Sequence, residues 1–353
     1  MTKKMDHDVT ASKSACSAFS FPVLIGDIGG TNARFALVKK PGAPYQEVTS
    51  LKVQDFDNAV DAIGAVLEHY TNKPASAFFA VAAPVDNIRP ELTNADWILD
   101  ADEIGKIHGF RQIALINDFP PVAASLPSLV ADRDMFSLGY AASSGKTGTK
   151  LVIGVGTGCG ASALIPVGDR LLLQPTEIGH TSLGPEGLLQ HSLWPFLITD
   201  DAPQISVETL LSGQGLLRLY QGLQHLDNDN HSGGSPATPA GVLDALSKDD
   251  PIAHSTIEVF TSLLARIAGD LALLFQAHGG VYIGGGVVPR LLNVLDSCAF
   301  RYDFENRPPL QGYLRAIPTY VITHENPALS GLAALVSDPQ RFIAPSVFWL
   351  SGR

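Results

Sequence analysis

Two stretches of this chain follow one plan. Residues 25 to 37, IGDIGGTNARFAL, and residues 153 to 164, IGVGTGCGASAL, each read as an apolar strand, a glycine-dense turn and a returning strand. Side chains alternate along a strand, and glycine turns a chain most tightly, so each stretch predicts a β-hairpin. Its repetition predicts a weak internal duplication, with one glycine hairpin in each of two lobes. At 353 residues the chain is long enough for both.

Composition narrows what such a chain can do. Hydrophobic residues make up 45% and charged residues 17%, which predicts a soluble, packed globular protein. The net charge is −11 and there is no basic block, which argues against a nucleic-acid or anionic-membrane surface. Cys16, Cys159 and Cys298 are odd in number and far apart, so neither a disulfide framework nor a CxxC site is expected, and the compartment reads as a reducing cytosol. Residues 1–20 lack the apolar segment of a signal peptide and read as a flexible arm. The uncharged stretches 151–168 and 271–289 are broken by glycines, so no membrane helix is expected.

Between the hairpins the pattern alternates. Residues 58–70 have helical spacing, SAFFAVAAPV reads as a strand, a helix starts near Asp100, and IALIN (113–117) is a short buried strand that stops at Asp118. This alternation predicts an α/β lobe. Residues 141–150 and 224–241 read as polar loops, and 251–278 as a helix with Gly279 at its C′ position. VYIGGGVVPRLL then reads as a strand, three glycines and a helix start. Two look-alikes fail on position. Gly145-Lys146-Thr147 would need glycine where Tyr140 stands to be a P-loop, and the stretch from Gly154 has Cys159 where a dinucleotide site needs glycine or alanine.

Glycine turns let backbone N–H groups approach an anion closely, and two of them facing each other would cradle a polyphosphate. An acid such as Asp27 beside a phosphate implies an intervening Mg²⁺, through water, or else a turn cap. Asp118, at the end of a strand, is either a ligand-facing carboxylate or the N-cap of the helix begun by FPPVAAS.

In order along the chain, GDIGGTNARFAL, LTNADW, INDF, GVGTGCG, EIGH, LSGQGL, GGGVVPR and HENPALSG resemble the bacterial ATP-dependent glucokinases, of the sugar kinase, actin and Hsp70 superfamily, over residues 21 to 335. The resemblance implies an α/β, two-lobed actin-like ATPase (ribonuclease H-like) fold with the active site between the lobes. The small lobe would be 21–128 completed by 324–353, and the large lobe 129–323. It implies transfer of the γ-phosphoryl group of MgATP to the C6 hydroxyl of glucose, feeding glycolysis in the cytoplasm, with Asp118 as general base. Asn94, Asn117, Glu177, His180 and Glu208 would join Asp118 in binding the sugar. Gly26, Asp27, Ile28, Gly29, Gly30 and Thr31 would form the first phosphate loop and Gly156, Thr157, Gly158 and Gly160 the second. Gly284, Gly285 and Gly286 would border adenosine, and Asp27 would meet Mg²⁺ through water. Homodimers occur in the family, though no residue here shows one.

Glu177 and His180 have no cysteine cluster after them, so the zinc site of the related ROK kinases is not expected. The chain departs from the family at Ile178, where glycine is frequent, and at Gln214, where proline is usual. Trp97 reads as a core or hinge aromatic, and Cys159 as a small residue in a tight turn. Competing readings are a kinase for another hexose, a sugar-sensing regulator, and an actin-like or chaperone-like ATPase.

Overall fold

The computed structural model describes residues 19–93, 95–139, 147–200, 202–227 and 235–352. Most of the N-terminal arm, with Cys16, lies outside these residues, as do Asn94, Tyr140, Gly145, Lys146 and the middle of the 224–241 loop.

The hairpins are strands β1 (Val23–Ile28) with β2 (Asn32–Val38), and β7 (Lys150–Val155) with β8 (Cys159–Val167). Each opens a sheet. The first sheet continues with β3 (Gln46–Lys52), β4 (Ser76–Val81) and β5 (Gln112–Asn117). The second contains β6 (Met135–Ser137), β9 (Arg170–Thr176), β10 (Gly280–Gly284) and β11 (Thr319–Ile322). The C-terminal segment divides between them: β12 (Phe342–Ile343) pairs with β9, and β13 (Val347–Leu350) pairs with β5.

The strand orders are β13-β5-β4-β1-β2-β3 and, read from the other edge, β6-β11-β10-β7-β8-β9-β12. Five strands therefore repeat in the same order and the same directions: an antiparallel β1-β2-β3 or β7-β8-β9, then parallel β4 and β5 or β10 and β11. The duplication visible in the glycine hairpins thus extends over a whole sheet.

Each repeat ends in a helix, Phe119–Ser125 after β5 and Pro327–Ser337 after β11. The two helices pack so closely that a Cβ on Gly331 would overlap the Pro121 carbonyl. With Ile25, Phe78 and Ile116 from the first sheet and Val152, Leu164 and Tyr282 from the second, they form one buried core between the sheets. Two further cores cover the outer faces. Burying one large apolar side chain contributes about 1.5–3 kcal/mol, and these clusters bury dozens of them.

The helices obey local rules. Asn58 caps Ala59–Glu68, Asp100 caps Ala101–His108, and Asp250 caps Pro251–Leu274, each accepting backbone N–H bonds worth about 1 kcal/mol. The last of these ends earlier than its periodicity indicates. Gln276, not Gly279, takes the left-handed conformation (φ 48°). Gly279 is required for another reason: a Cβ there would come within 2.7 Å of the Gly148 carbonyl. After β10, residues Val288–Leu291 make a short 3₁₀ turn, and Gly213–Leu226 extends helix into the stretch read as a loop.

Candidate active site

On β1, Asp27 faces Arg34 across the hairpin, with its carboxylate 3.6 Å from the guanidinium. Burial pushes the Asp27 carboxyl up and Arg34 pulls it back. The carboxylate does not cap its own turn. Instead the Gly29 N–H donates to the Asn32 carbonyl (3.0 Å), and the Thr31 carbonyl accepts from Val53 (3.0 Å). Gly30 and Thr31 remain at the tip, and among the described residues their amides have no protein acceptor. Ile28 points into the core, and Gly26 is buried where a Cβ would lie 2.8–2.9 Å from the Phe79 and Phe35 rings.

The second turn is built more rigidly. The Gly156 N–H donates to Gly158 and the Gly156 carbonyl accepts from Gly213, both at 2.8 Å. The Cys159 N–H donates to Glu208 Oε2 (2.8 Å), and a Cβ on Gly158 would overlap that carboxylate. Glu208 therefore braces the glycine turn, a contact between residues 49 positions apart. Burial and then Glu208 push the Cys159 thiol up to about 12, which leaves it unreactive. Thr157 is exposed at the tip, while Gly160 is buried in β8. The third glycine stretch lies alongside, since a Cβ on Gly156 would be 3.8 Å from the Gly286 amide. Gly284 is buried in β10, and Gly285 (φ 94°) packs on the Val155 backbone. Gly286 faces open space.

Asp118 stands where β5 ends. It takes the N-cap position of Phe119–Ser125 without capping it, because the next two amides belong to Pro120 and Pro121 and have no N–H to donate, while the Phe119 N–H goes to the neighbouring Asn117 Oδ1 (3.2 Å). Asn117 Nδ2 donates to the Ala83 carbonyl (3.0 Å), so this side chain ties β4 to the start of the helix. Loss of hydration chiefly raises the Asp118 carboxyl to about 7, helped by the charges of Asp27 and then Glu177 and opposed by the backbone amides of Asp118 and Phe119. The charges that act on Asp118 thus come from both sheets.

Glu177 precedes and His180 ends the 3₁₀ turn after β9, both exposed, and Gly179 between them packs on the Cys159 carbonyl. Ile178 packs against the second-sheet core, and Gln214 is exposed in the first turn of its helix. Trp97 is a core residue whose Nε1–H donates to the Phe56 carbonyl (3.1 Å). Asn94 is outside the described residues. Arg34 and Phe119 belong to this site although no glycine or strand-end signal marks them. Arg34 lies only seven residues from Asp27, and the period-two register of a hairpin is the signal that pairs them. Among the described residues, no cluster of three or more His, Cys, Asp or Glu side chains could hold a metal.

A protein-family model described as Glucokinase matches residues 24–339. The chain belongs to the glucokinase family. A glucokinase of Sinorhizobium fredii is 36% identical over 326 residues, 92% of this chain and 95% of that protein. Among solved structures, a glucokinase from an Antarctic psychrotroph superposes with a TM-score of 0.75 at 29% identity, covering 90% of this chain and 99% of that one. A Balamuthia mandrillaris glucokinase, solved in complex with glucose, has a TM-score of 0.74 at 21% identity over 89% of this chain and 93% of its own. The doubled sheet is thus the two-lobed actin-like ATPase fold of a glucokinase-family member.

Proposed function

We propose that this chain is a glucokinase, transferring the γ-phosphoryl group of ATP to the C6 hydroxyl of glucose to give glucose 6-phosphate and ADP. The observation that carries this reading is Asp118, a carboxyl raised to about 7 at the end of β5, with Asp27 of one hairpin and Glu177 beside the other bearing on it. A base of that strength holds a proton better than an ordinary carboxylate and is still ionised at neutral pH in a substantial fraction of molecules. It takes the C6 hydroxyl proton as that oxygen attacks the γ-phosphorus; the bond from phosphorus to the ADP oxygen breaks, and charge leaves with ADP. Most of the remaining rate comes from alignment and charge neutralisation.

The phosphates are held by what each hairpin leaves unspent. Gly30 and Thr31 offer amides at the first tip, Thr157 and Gly158 form the second, and Gly286 lies beside Gly156 toward the adenosine. Arg34, half exposed beside Asp27, supplies a fork of donors for phosphate oxygens. The donor set also fits Mg²⁺: a single hard carboxylate, Asp27, half-buried and close enough to a second acid, Asp118, to act on its charge, matches an ion that keeps most of its waters and takes phosphate oxygens. When bound, Mg²⁺ neutralises charge on the phosphates. Glu177, His180, Glu208, Asn117 and Asn94 are the sugar-reading set in this proposal. A site built to hydrogen-bond each hydroxyl rejects analogues lacking one, because a buried partner is left unpaired.

We place the chain outside the ROK branch, since no cysteine cluster follows His180, and we take its lobes as 21–128 completed from residue 324, and 129–323. A cytoplasmic location and a homodimer complete the reading. No helix among the described residues is long and apolar enough to cross a membrane. The test is phosphorylation of a hexose panel at saturating MgATP. Turnover of glucose above that of mannose, glucosamine and fructose is expected, and absence of turnover with every aldohexose would refute the proposal.

A further inference from the structure

Corresponding rows of the two sheets are filled differently. Across β2-β1-β4 the row reads Phe35, Gly26, Phe79, and the two rings close over the glycine. Across β8-β7-β10 the equivalent row reads Gly160, Gly154, Gly284, with no ring of its own. A Cβ on either Gly154 or Gly160 would run into the ring of Phe119, which enters this slot from the end of the other sheet.

Phe119 is one residue from the candidate base, and Gly154 is two residues from the turn at Gly156–Gly158. We propose that Phe119 is a positioning residue, its ring in the Gly154–Gly160 slot registering the Asp118 carboxylate against the second phosphate turn. The inference rests on the kinase reading above. The link is short at both ends. The Phe119 N–H is gripped by Asn117 Oδ1, and the slot lies in the hairpin that closes through the Gly156–Gly158 hydrogen bond. A ring shifted in the slot therefore moves the base relative to the phosphate, and a misplacement of about 1 Å between reacting groups costs on the order of a hundredfold in rate.

The experiment compares Phe119→Leu, Gly160→Ala and the double variant in steady-state kinetics with glucose and MgATP, alongside thermal unfolding. Each single change is expected to lower kcat about a hundredfold while the two KM values move less than about threefold. In the double variant the added methyl occupies volume that the smaller side chain vacates, so about tenfold of kcat returns. Admitting water beside Asp118 also moves the acid limb of the Phe119→Leu rate profile to lower pH. Should Phe119→Leu not fold, Phe119→Met carries the same expectations. Parental kcat in the Phe119 variant, or losses that simply multiply in the double, would overturn the inference while leaving an active parent as a kinase. A parent that phosphorylates no hexose would overturn both.

Discussion

The two halves set the same backbone to different tasks. Where β1 carries Asp27 one residue after its buried glycine, β7 carries Val155 after Gly154. Where β5 runs on from Ala114 to Asp118, β11 runs on from Val321, at the matching register, to an exposed Glu325. Both half-buried acids of the site thus stand in the first half. The second half supplies a glycine turn held from beneath by Phe119 and from the side by Glu208. Duplication gave two equivalent strand ends, and burial rather than topology decides which carboxylate becomes a base.

The sharpest way to break this comparison is to exchange equivalent acids. Asp118→Asn should lower kcat about 10²–10⁴-fold, the usual contribution of a positioned base, whereas Glu325→Gln should leave it within about twofold. Similar losses in both would show that the halves share the chemistry.

A second contrast concerns the buried glycines. Gly26→Ala and Gly154→Ala both force a methyl against an aromatic ring, and each should cost about 1–3 kcal/mol in denaturant unfolding. Because the ring over Gly154 adjoins the base, kcat should fall about tenfold further in Gly154→Ala than in Gly26→Ala.

The raised Asp118 carboxyl makes two opposite pH predictions. As a base it must be ionised, so kcat/KM for glucose should rise with pH through a limb near 7. In stability the sign reverses. A carboxyl at about 7 when folded and 3.8 when unfolded binds more protons in the native state between those values, so the native state loses stability as pH climbs through that window. Asp118→Asn should therefore melt above the parent at pH 8 and close to it at pH 4. A melting difference that does not change with pH would contradict the raised value.

The smallest effect is expected at the edges. Trp349 on β13 donates its Nε1–H to Asp102 (2.9 Å) and lies over Gly105. Trp349→Phe should cost about 0.5–1.5 kcal/mol in unfolding and leave kcat unchanged.

Much of this was legible because it is local. The strand, turn and strand of each hairpin, the helix over 58–70, the helix start near Asp100, and the strand ending at Asp118 all depend on residues within a few positions of one another. The capping reading of Asp118 is a fair rival, and it gives way because Pro120 and Pro121 have no N–H for a cap to accept. What could not be read comes from register and distance. Nothing in the spacing of Gly154, Gly160 and Gly284 shows that they align in one row, nor that a ring from residue 119 covers two of them. By the resemblance Glu208 is a sugar ligand, and nothing in its sequence position shows that one of its oxygens accepts the Cys159 amide. Gly279 illustrates the converse error, since a glycine at a plausible helix end was needed for close packing elsewhere.

The last strands bear on how the chain is made. β12 closes one edge of the second sheet and β13 one edge of the first, and both come from one short segment, residues 342–350. A chain emerging from the ribosome can form its hairpins early, yet neither edge closes until residues 342–350 have been made. Until then β5 and β9 each leave a row of backbone donors and acceptors open to a neighbouring chain. Loss of the segment from Phe342 onward would therefore uncover both edges at once, in a protein whose catalytic groups are all still present.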